Sequence, residues 1–284
     1  MEKKVSIVTG ASSGLGKSLA LLLCQKGHIV YVIARRRKLL NKLRDDCKNL
    51  PGQIIPVSGD LTVQDFRERL IKRVIKEQGK IDYHINNAGF GRSTIFEKES
   101  IGEMQKMVNL NLVTCMHLAK LALEQMKIQG HGRIINVGSV VAFTPLPYFT
   151  VYNATKAAVY AFNRSLRYEL KGLPITSTVV LPARMKTGFA NVAYDCYERN
   201  GQIVCSNDFN KIAGNPMVVA RKIVRNMDKG KEVITPTPKA RLWYTMRYFG
   251  FVVDFVMKNI LGPKELKRFK KESEESNQPV LKPS

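Results

Sequence analysis

A glycine-rich turn near the N-terminus constrains the fold more than any other feature of this sequence. The apolar run Val5–Thr9 is typical of a buried strand, and a helical pattern of leucines begins at Leu15. The residues that join them, Thr9 to Gly16, read Thr-Gly-Ala-Ser-Ser-Gly-Leu-Gly. Glycine permits a tight turn and lets backbone N–H groups approach an anion, and the start of the following helix adds partial positive charge. This unit predicts a dinucleotide phosphate site in an α/β fold.

The rest of the chain repeats the alternation of strand and helix. A helix is expected at Leu39–Leu50, and further strands are expected at His28–Ala34, Gln53–Val57, Ile81–Asn86, Arg133–Gly138, Ile175–Leu181 and Lys231–Thr235. Strands that are joined through helices run parallel, and they are apolar on both sides because helices cover both faces of the sheet. The pattern therefore predicts a doubly wound (Rossmann) parallel sheet of about seven strands with helices on both faces.

The composition divides the chain into one domain and a tail. We expect residues 1–240 to form one domain around the dinucleotide site. Pro236 and Pro238 should break the regular secondary structure between the domain and the tail. Residues 241–271 are basic and aromatic and are expected to form a helical extension, whereas residues 272–284 have the composition of a disordered tail.

The net charge of +23 limits the partners of this chain. It carries no zinc-finger, basic-zipper or RNA-binding signature, so we expect no nucleic acid partner. A basic surface that favours a polyanionic cofactor and attraction to anionic lipid both remain open. Residues 241–261 have the composition of an interfacial helix, which indicates peripheral membrane contact; docking on the same domain or on another subunit is the alternative.

Location and metal content follow from the N-terminus, the cysteines and the histidines. The first residues lack the apolar core and cleavage site of a signal peptide, so none is expected, and no uninterrupted apolar stretch of about 20 residues suggests a membrane span. The five cysteines include no Cys-x-x-Cys pair, which is typical of free thiols in a reducing compartment. The four histidines lack ligand spacing, so no metal site is expected. The sequence predicts a cytoplasmic protein, either free or peripheral to a membrane.

Further motifs follow the glycine turn in a fixed order. They are Asn86-Asn-Ala-Gly89 after the fourth strand, Ser139 after the fifth, Tyr152-Asn-Ala-Thr-Lys156, and Pro182-Ala-Arg-Met-Lys-Thr187 after the sixth. With Thr-Gly-x-x-x-Gly-x-Gly they resemble the short-chain dehydrogenase/reductase family over about residues 3–235. The resemblance implies a nicotinamide-dependent enzyme that interconverts a ketone or aldehyde and an alcohol. Pro182-Ala183 departs from the Pro-Gly that is usual in that family.

The residue types of the tyrosine motif suit this chemistry. Tyr152 and Lys156 are four residues apart on an expected helix, so they lie on one face. A free phenol has a pKa of about 10, and a neighbouring ammonium lowers it toward the range useful for proton exchange. Tyr152 is therefore the candidate proton donor and acceptor, and Lys156 supplies the ammonium. Ser139 would donate a hydrogen bond to the substrate oxygen.

The resemblance implies two further roles. Lys156 would bind the nicotinamide ribose, and an asparagine would hold a water behind the lysine. Asn109 and Asn111 are both candidates. We choose Asn111 because it places Ser139 at the spacing familiar from the family; a helix cap or a surface residue is the alternative interpretation.

The end of the second strand indicates which cofactor is bound. Arg35-Arg36-Arg37 follows it with no carboxylate, and guanidinium groups suit a 2′-phosphate, so we expect NADP(H) to be preferred over NAD(H). Asp60 resembles the adenine-contacting aspartate of the family, with a helix N-cap as the alternative. The expected cofactor-binding residues are Gly10, Ser12, Ser13, Gly14, Leu15, Gly16, Arg35, Arg36, Asp60, Leu61, Asn87, Ala88, Gly89, Tyr152, Lys156, Pro182 and Thr187.

The resemblance implies that residues 1–240 are a dinucleotide-binding and catalytic domain with a substrate lid at about 188–214. Apolar residues around this expected lid point to the substrate. They are Phe189, Val192, Tyr194, Tyr197 and Ile203, with Val140, Phe143, Pro145, Tyr148 and Phe149 nearby. They predict an apolar or lipid-like small molecule, unless they pack against the core. A homo-oligomer is also expected. A non-catalytic NADP(H) sensor or scaffold on the same fold is the alternative function, but such a protein would not need Ser139, Tyr152 and Lys156.

Overall fold

The computed structural model of the protein describes residues 2–185, 197–199, 202–204, 214–261 and 263. Thr187, most of the expected lid and the tail 272–284 lie outside these residues. Seven of the described strands form one parallel sheet, as the alternation predicts. The order of the strands in the sheet is β3-β2-β1-β4-β5-β6-β9. Its strands are β1 (Val5–Thr9), β2 (Ile29–Ala34), β3 (Gln53–Ser58), β4 (Tyr83–Asn86), β5 (Gly132–Val137), β6 (Ile175–Val180) and β9 (Val233–Ile234). A separate antiparallel pair, β7 (Tyr197–Arg199) and β8 (Gln202–Val204), lies in the expected lid region.

Helices cover both faces of this sheet. The described helices are α1 (Gly14–Gln25), α2 (Arg37–Asp46), α3 (Gln64–Gln78), α4 (Ile101–Val108), α5 (Thr114–Gln129), α6 (Thr150–Glu169), α7 (Pro216–Asn226), α8 (Pro238–Thr245) and α9 (Gly250–Val256). One core cluster joins the sheet to α1, α2 and α7 through side chains such as Leu19, Leu40 and Ile223. A second joins the other face to α3, α5 and α6 through Leu70 and Leu118. Truncating any of these fully buried side chains to alanine would cost about 2–5 kcal/mol.

The strand order reverses between β1 and β4, which are neighbours in the sheet although two strands separate them in sequence. Loops that leave the carboxyl ends of such a pair diverge to opposite faces and open a crevice between them. The glycine turn leaves β1 at this point and Asn87–Gly89 leaves β4. The topology therefore brings the two motifs to one edge of the sheet.

A line of buried amides crosses the middle of the sheet, where we had expected apolar strands. Asn86 on β4 donates to Oδ1 of Asn136 on β5 at 2.9 Å, and Asn136 donates to Oδ1 of Asn163 on α6 at 3.0 Å. Ser177 on β6 also donates to Asn163, at 2.7 Å. These groups can be buried because each is hydrogen-bonded to the next.

Several element ends differ by one or two residues from the sequence-based expectation; β4, for example, begins at Tyr83 and not at Ile81, and β9 covers only Val233–Ile234. The second helix and Pro238 differ most. The second helix runs over Arg37–Asp46, and the chain then turns, with the N–H of Leu50 donating to the carbonyl of Cys47. Pro238 does not break the chain but begins α8. Its fixed φ suits the first helical position, and Thr237 caps the helix by accepting from the N–H of Ala240 at 3.1 Å.

The extension expected at 241–271 is a pair of short helices over the described part. Helix α8 packs Ala240, Trp243 and Tyr244 against the core, whereas α9 exposes Phe251 and Phe255. A 3₁₀ turn at Met246–Tyr248 separates the two helices. Over the residues that the structure describes, no helix combines the length and the apolar character needed to cross a bilayer.

Candidate active site

The glycine turn after β1 is held by close backbone packing. Gly10 has a φ of +67°, a conformation that favours glycine. A β-carbon on Gly16 would lie 2.4 Å from the carbonyl oxygen of Gly10 and 2.6 Å from Nδ2 of Asn87. Both positions therefore exclude a side chain. The first turn of α1 can approach the loop only because Gly16 has no β-carbon.

The glycine turn and the loop after β4 are tied together by Thr9 and Asn87. The hydroxyl of Thr9 accepts from the N–H groups of Asn87 and Ala88, both at 2.9 Å, and Asn87 Nδ2 donates to the carbonyl of Thr9 at 2.9 Å. These bonds fix one wall of the crevice against the other. The sequence predicted Asn87 and Ala88 as binding residues, but it did not predict Thr9 as the residue that joins the two loops.

Arg36, in the loop after β2, reaches the glycine turn after β1. Its guanidinium donates to Oγ of Ser12 and to Oγ of Ser13, both at 2.8 Å, so the bonds join two different loops. Arg35 lies beside it, and its positive charge contributes to a lowered pKa of the Asp60 carboxyl. The structure thus brings two arginines and two hydroxyls to the end of β2, where a 2′-phosphate would lie in this fold.

Asp60 does not cap the helix that follows it. Its Oδ1 accepts from the backbone N–H of Thr62 at 2.9 Å and from the Thr62 hydroxyl at 2.8 Å, whereas the N-cap of α3 is Val63. These bonds, above all the one from the Thr62 N–H, lower the pKa of the Asp60 carboxyl. The side chain of Leu61 points into the core, so only its backbone can line the crevice.

Arg67 holds this turn through hydrogen bonds to its backbone, and no pattern in the sequence predicted this. It is 4% exposed, and Nη1 donates to the carbonyls of Leu61 and Thr62 at 2.7 and 3.0 Å. Its Nε donates to Nδ1 of His117 at 2.9 Å. His117 must therefore carry its proton on Nε2 when neutral, and both burial and the adjacent guanidinium lower the pKa of its ring.

Tyr152 and Lys156 lie one turn apart on α6, as predicted. The Lys156 ammonium lies 5.7 Å from the centre of the Tyr152 ring and donates to the carbonyl of Val137, at the end of β5, at 2.9 Å. Lys156 is 6% exposed, and burial lowers the pKa of its ammonium to about 8. An ammonium has three N–H donors, so the bond to Val137 leaves two that can bind other acceptors.

Asn111, and not Asn109, faces this pair. It lies in a π-helical turn, Asn109–Val113, and is buried, whereas Asn109 is partly exposed. Its side chain accepts from the N–H of Phe90 at 3.0 Å and donates to Thr155 Oγ1 at 3.1 Å. A β-carbon on Gly89 would lie 2.9 Å from Asn111 Oδ1 and 3.7 Å from Lys156 Nζ, so Gly89 keeps open the space between the loop after β4 and these two polar groups.

Ser139 follows β5 and begins a 3₁₀ turn. Its Oγ accepts from the N–H of Val141 at 3.3 Å, and the N–H of Val140 donates to the carbonyl of Pro182 at 3.3 Å. Pro182 is thereby held beside the Ser139 turn. Because Val137 is only two residues before Ser139, the carbonyl that binds Lys156 and the Ser139 hydroxyl are presented by one short segment.

The expected apolar wall divides into two groups. Val140 and Phe143 pack against Ala240 and Tyr244 of α8, so they belong to the core rather than to an open pocket. Phe149 lies 6.1 Å from the Tyr152 ring, measured between ring centres. The side chains predicted on the lid, from Phe189 to Ile203, lie outside the part that the structure describes in side-chain detail.

The crevice fits a dinucleotide on these observations. It has a glycine turn with no side chain at Gly10 and Gly16, two arginines at the end of β2, and a buried ammonium at the end of β5. Anion binding at a helix N-terminus and charge-assisted bonds to a phosphate need these groups. Gly10–Gly16, Arg35 and Arg36 would hold the phosphates, and Asn87–Gly89 and Lys156 would line the nicotinamide half.

Comparison with known proteins agrees with this geometry. A profile of the family described as short chain dehydrogenase matches residues 4–196. An uncharacterized oxidoreductase of Staphylococcus epidermidis is 33% identical over 187 residues, which cover 66% of this chain and 80% of the relative. An 11-beta-hydroxysteroid dehydrogenase of Pinus massoniana is 29% identical over 266 residues, which cover 90% of this chain and 72% of that enzyme. A solved alcohol dehydrogenase from the archaeon Thermococcus sibiricus, complexed with 5-hydroxy-NADP, superposes with a TM-score of 0.69 at 25% identity, and the match covers 82% of this chain and 94% of that one.

Proposed function

Because the chain belongs to the short-chain dehydrogenase family of oxidoreductases acting on CH–OH groups, we propose that it reduces an apolar ketone or aldehyde with NADPH, or oxidises the corresponding alcohol. The observation that carries this proposal is the placement of Lys156. Its ammonium is bound to Val137 at the carboxyl end of β5 and lies under the Tyr152 ring, at the edge of the sheet where the glycine turn also lies.

Tyr152 is the proton donor in the direction of reduction. The substrate carbonyl oxygen gains negative charge as its carbon is reduced, and the phenol gives it a proton. The neighbouring Lys156 ammonium stabilises the phenolate that remains. NADPH supplies the hydride. Ser139 donates a hydrogen bond to the same substrate oxygen and stabilises its developing charge.

Asn111 is a positioning residue in this proposal. Its carbonyl oxygen is held by the N–H of Phe90 and lies toward Lys156 across Gly89. An amide fixed in this way orders a water beside the ammonium, through which the proton on Tyr152 is replaced from solvent. Thr155 anchors the Asn111 amide, because its hydroxyl accepts from Nδ2 and donates to the carbonyl of Tyr152.

NADPH is proposed over NADH on the charge at the end of β2. Arg36 is already held against Ser12 and Ser13, so little side-chain entropy is lost when it binds a phosphate. No acidic residue stands at that strand end to bind a ribose 2′-hydroxyl. The solved alcohol dehydrogenase of T. sibiricus binds an NADP derivative, which is consistent with this choice.

An apolar substrate is proposed from the surroundings of Tyr152. Phe149 is buried beside its ring, and the curated relative from P. massoniana is named for a steroid substrate. The test is NADPH oxidation against matched ketones, with steroid ketones and long-chain 3-oxoacyl compounds in one set and short polar ketones and aldehydes in the other. Turnover of the apolar set with NADPH supports the proposal. Absence of turnover with every carbonyl, in a protein that still binds NADPH, would favour the sensor alternative.

We also propose contact with a membrane surface through α9. Phe251 and Phe255 are one turn apart, and they are 75% and 62% exposed. Arg247 and Lys258 lie on either side of them in the sequence, which suits the interface of an anionic bilayer.

A homo-oligomer is proposed on the exposed apolar residues Ile101, Val108 and Val113. Analytical ultracentrifugation tests the oligomer and vesicle pelleting tests the membrane contact.

A further inference from the structure

A second cluster of cations lies far from the crevice, at the open edge of the sheet. Strand β9 is the last strand in the order, three positions from β4. Between β9, α7 and α8 there is a cavity of about 150 Å³. It is lined by Lys222, Asn226, Lys231, Val233, Ile234, Thr235 and Arg241. This volume is several times the share of one water molecule in the liquid, which is about 30 Å³, so the cavity is large enough for a small ligand.

Three of the seven lining residues are cationic and none is acidic. Lys222 comes from α7, Lys231 from the segment before β9 and Arg241 from α8, so three separate parts of the chain each contribute a cationic residue to the lining of one cavity. Cations so placed repel each other, and folding would not bring them together for stability. An anion between them would turn this repulsion into attraction.

The nearest acidic side chains are engaged elsewhere. Glu232 pairs with Arg164 at 3.3 Å, and Asp228 accepts from the hydroxyl of Tyr83. Within the described part of the chain, no carboxylate lies within salt-bridge distance of Lys222, Lys231 or Arg241. The positive charge of the cavity is thus not compensated by the described carboxylates.

The backbone and the neutral lining residues add donors. The carbonyls of Glu232 and Ile234 accept from β6, so the intervening Val233 and the following Thr235 direct their backbone groups to the open side of the strand. Asn226 donates from Nδ2 to the carbonyl of Lys222 at 2.8 Å, which leaves its second N–H, and Thr235 contributes a hydroxyl. Two lysines, a guanidinium and neutral N–H and O–H donors are the set that recognises the oxygens of a phosphate.

We propose that this cavity binds a phosphate group, as a second anion site separate from the nucleotide crevice. The phosphate can belong to a soluble phosphorylated molecule or to the headgroup of a lipid, because the chemistry of recognition is the same. The inference goes beyond the proposed reaction and does not depend on it, since none of the residues of the cavity lies in the crevice.

The matched variants differ only in which cations of the same region they remove. Lys222→Gln with Lys231→Gln removes two charges that line the cavity. Arg221→Gln with Arg225→Gln removes two exposed charges from α7 that do not line it. Circular dichroism and the melting temperature without phosphate check that both double variants fold. Arg241→Gln is an independent third variant from the other side of the cavity.

Two probes distinguish the sources of the phosphate. The first is inorganic phosphate, titrated by calorimetry with and without NADP⁺, so that binding in the nucleotide crevice is separated. The second is vesicles of phosphatidylcholine with and without phosphatidic acid. We expect wild type and the Arg221/Arg225 variant to bind at least one probe when NADP⁺ is present. The Lys222/Lys231 variant should bind it at least about tenfold more weakly, as the loss of charge-assisted bonds requires.

Each outcome decides the proposal. Binding of free phosphate that only the cavity variants weaken supports a soluble ligand, and vesicle binding with the same sensitivity supports a lipid headgroup. Binding of neither probe overturns the proposal. Loss of phosphate binding on addition of NADP⁺, or equal weakening by both double variants, also overturns it. Failure to turn over any ketone would leave these results unaffected.

Discussion

The ammonium of Lys156 lies 5.7 Å from the centre of the Tyr152 ring, one helical turn further along α6. This distance places a buried positive charge close enough to act on the phenol electrostatically, while the lysine itself is held by the strand end rather than by the tyrosine. In the proposed reaction, the Tyr152 hydroxyl can therefore lose and regain its proton while Lys156 stays in place.

Replacing Tyr152 by phenylalanine tests the proton donor. Tyr152→Phe keeps the ring and removes the hydroxyl, so the rate of ketone reduction should fall by at least about 100-fold, the usual contribution of a positioned acid. NADPH affinity should stay near the wild-type value. Tyr168→Phe is the control, because Tyr168 lies on the same helix and is 62% exposed. Steady-state kinetics and fluorescence titration measure both quantities, and a near wild-type rate for Tyr152→Phe would sink the assignment.

Replacing Arg36 tests the choice of cofactor. Arg36→Ala removes the guanidinium held at Ser12 and Ser13 and should raise the Kd for NADPH by about 10- to 100-fold, the range for a charge-assisted bond of about 1.5–3 kcal/mol. The Kd for NADH should change little. Arg37→Ala, an exposed residue one position along the chain, should leave both unchanged. Equal losses for the two cofactors would show that Arg36 does not recognise the 2′-phosphate.

The buried ammonium predicts how cofactor binding depends on pH. Burial lowers the pKa of Lys156 to about 8, so the group is charged below this pH and becomes neutral as the pH rises through it. A neutral amine no longer attracts a polyanionic cofactor, so the Kd for NADPH should increase above pH 8, well before an exposed lysine of pKa about 10.4 would titrate. The Lys156→Met variant should bind NADPH more weakly at neutral pH, and its Kd should no longer increase above pH 8. An increase of the same size in Lys156→Met would show that another group titrates.

The exposed phenylalanines of α9 predict membrane binding. The double variant Phe251→Ser, Phe255→Ser should lose most of its pelleting with anionic vesicles and keep its NADPH affinity. Phe96→Ser is the control, since Phe96 is 56% exposed on a different part of the surface. Wild-type protein should also pellet less at high salt, because the flanking basic residues contribute through screened charges. If wild type fails to pellet at low salt, the membrane contact is wrong.

The buried guanidinium of Arg67 predicts a large effect on stability. Arg67→Met leaves the carbonyl of Thr62 and Nδ1 of His117 without the donor that Arg67 supplies, and we expect the free energy of unfolding to fall by about 2–4 kcal/mol. The carbonyl of Leu61 loses one donor but keeps the Thr114 hydroxyl at 3.0 Å. Arg69→Met, on an exposed position of the same helix, should change it by less than about 0.5 kcal/mol. Urea denaturation compares the two variants. If the two variants lose similar free energies of unfolding, the loss comes from helix propensity and not from the buried hydrogen bonds.

The sequence predicted the parts of this molecule that depend on local pattern. The order of strands and helices is readable because apolar periodicity and glycine turns are properties of short segments, and the parallel sheet follows from the order. The spacing of Tyr152 and Lys156 on one helix face was readable for the same reason. Most element ends were predicted within one or two residues.

The interactions that join distant segments were not readable. Nothing near Arg67 in sequence shows that it is buried, because an arginine in an amphipathic helix is ordinarily exposed. The family spacing favoured Asn111 over Asn109, but the contacts of Asn111 with Thr155 and Phe90 depend on a π-helical turn that the sequence did not predict. Phe143 was expected at the substrate, yet it packs on Tyr160 and Tyr244, because α8 returns to this side of the domain.

This return of α8 has a consequence for how the protein becomes active during synthesis. The turn that begins at Ser139 is backed by Val140 and Phe143, and these residues pack on Ala240 and Tyr244, which leave the ribosome much later. A nascent chain can assemble the glycine turn and most of the sheet early, but the wall behind Ser139 is completed only when α8 emerges. During synthesis, the ability to bind the nucleotide should therefore arise before the ability to turn over substrate. A messenger truncated before α8 should yield a protein that binds the nucleotide but does not turn over substrate.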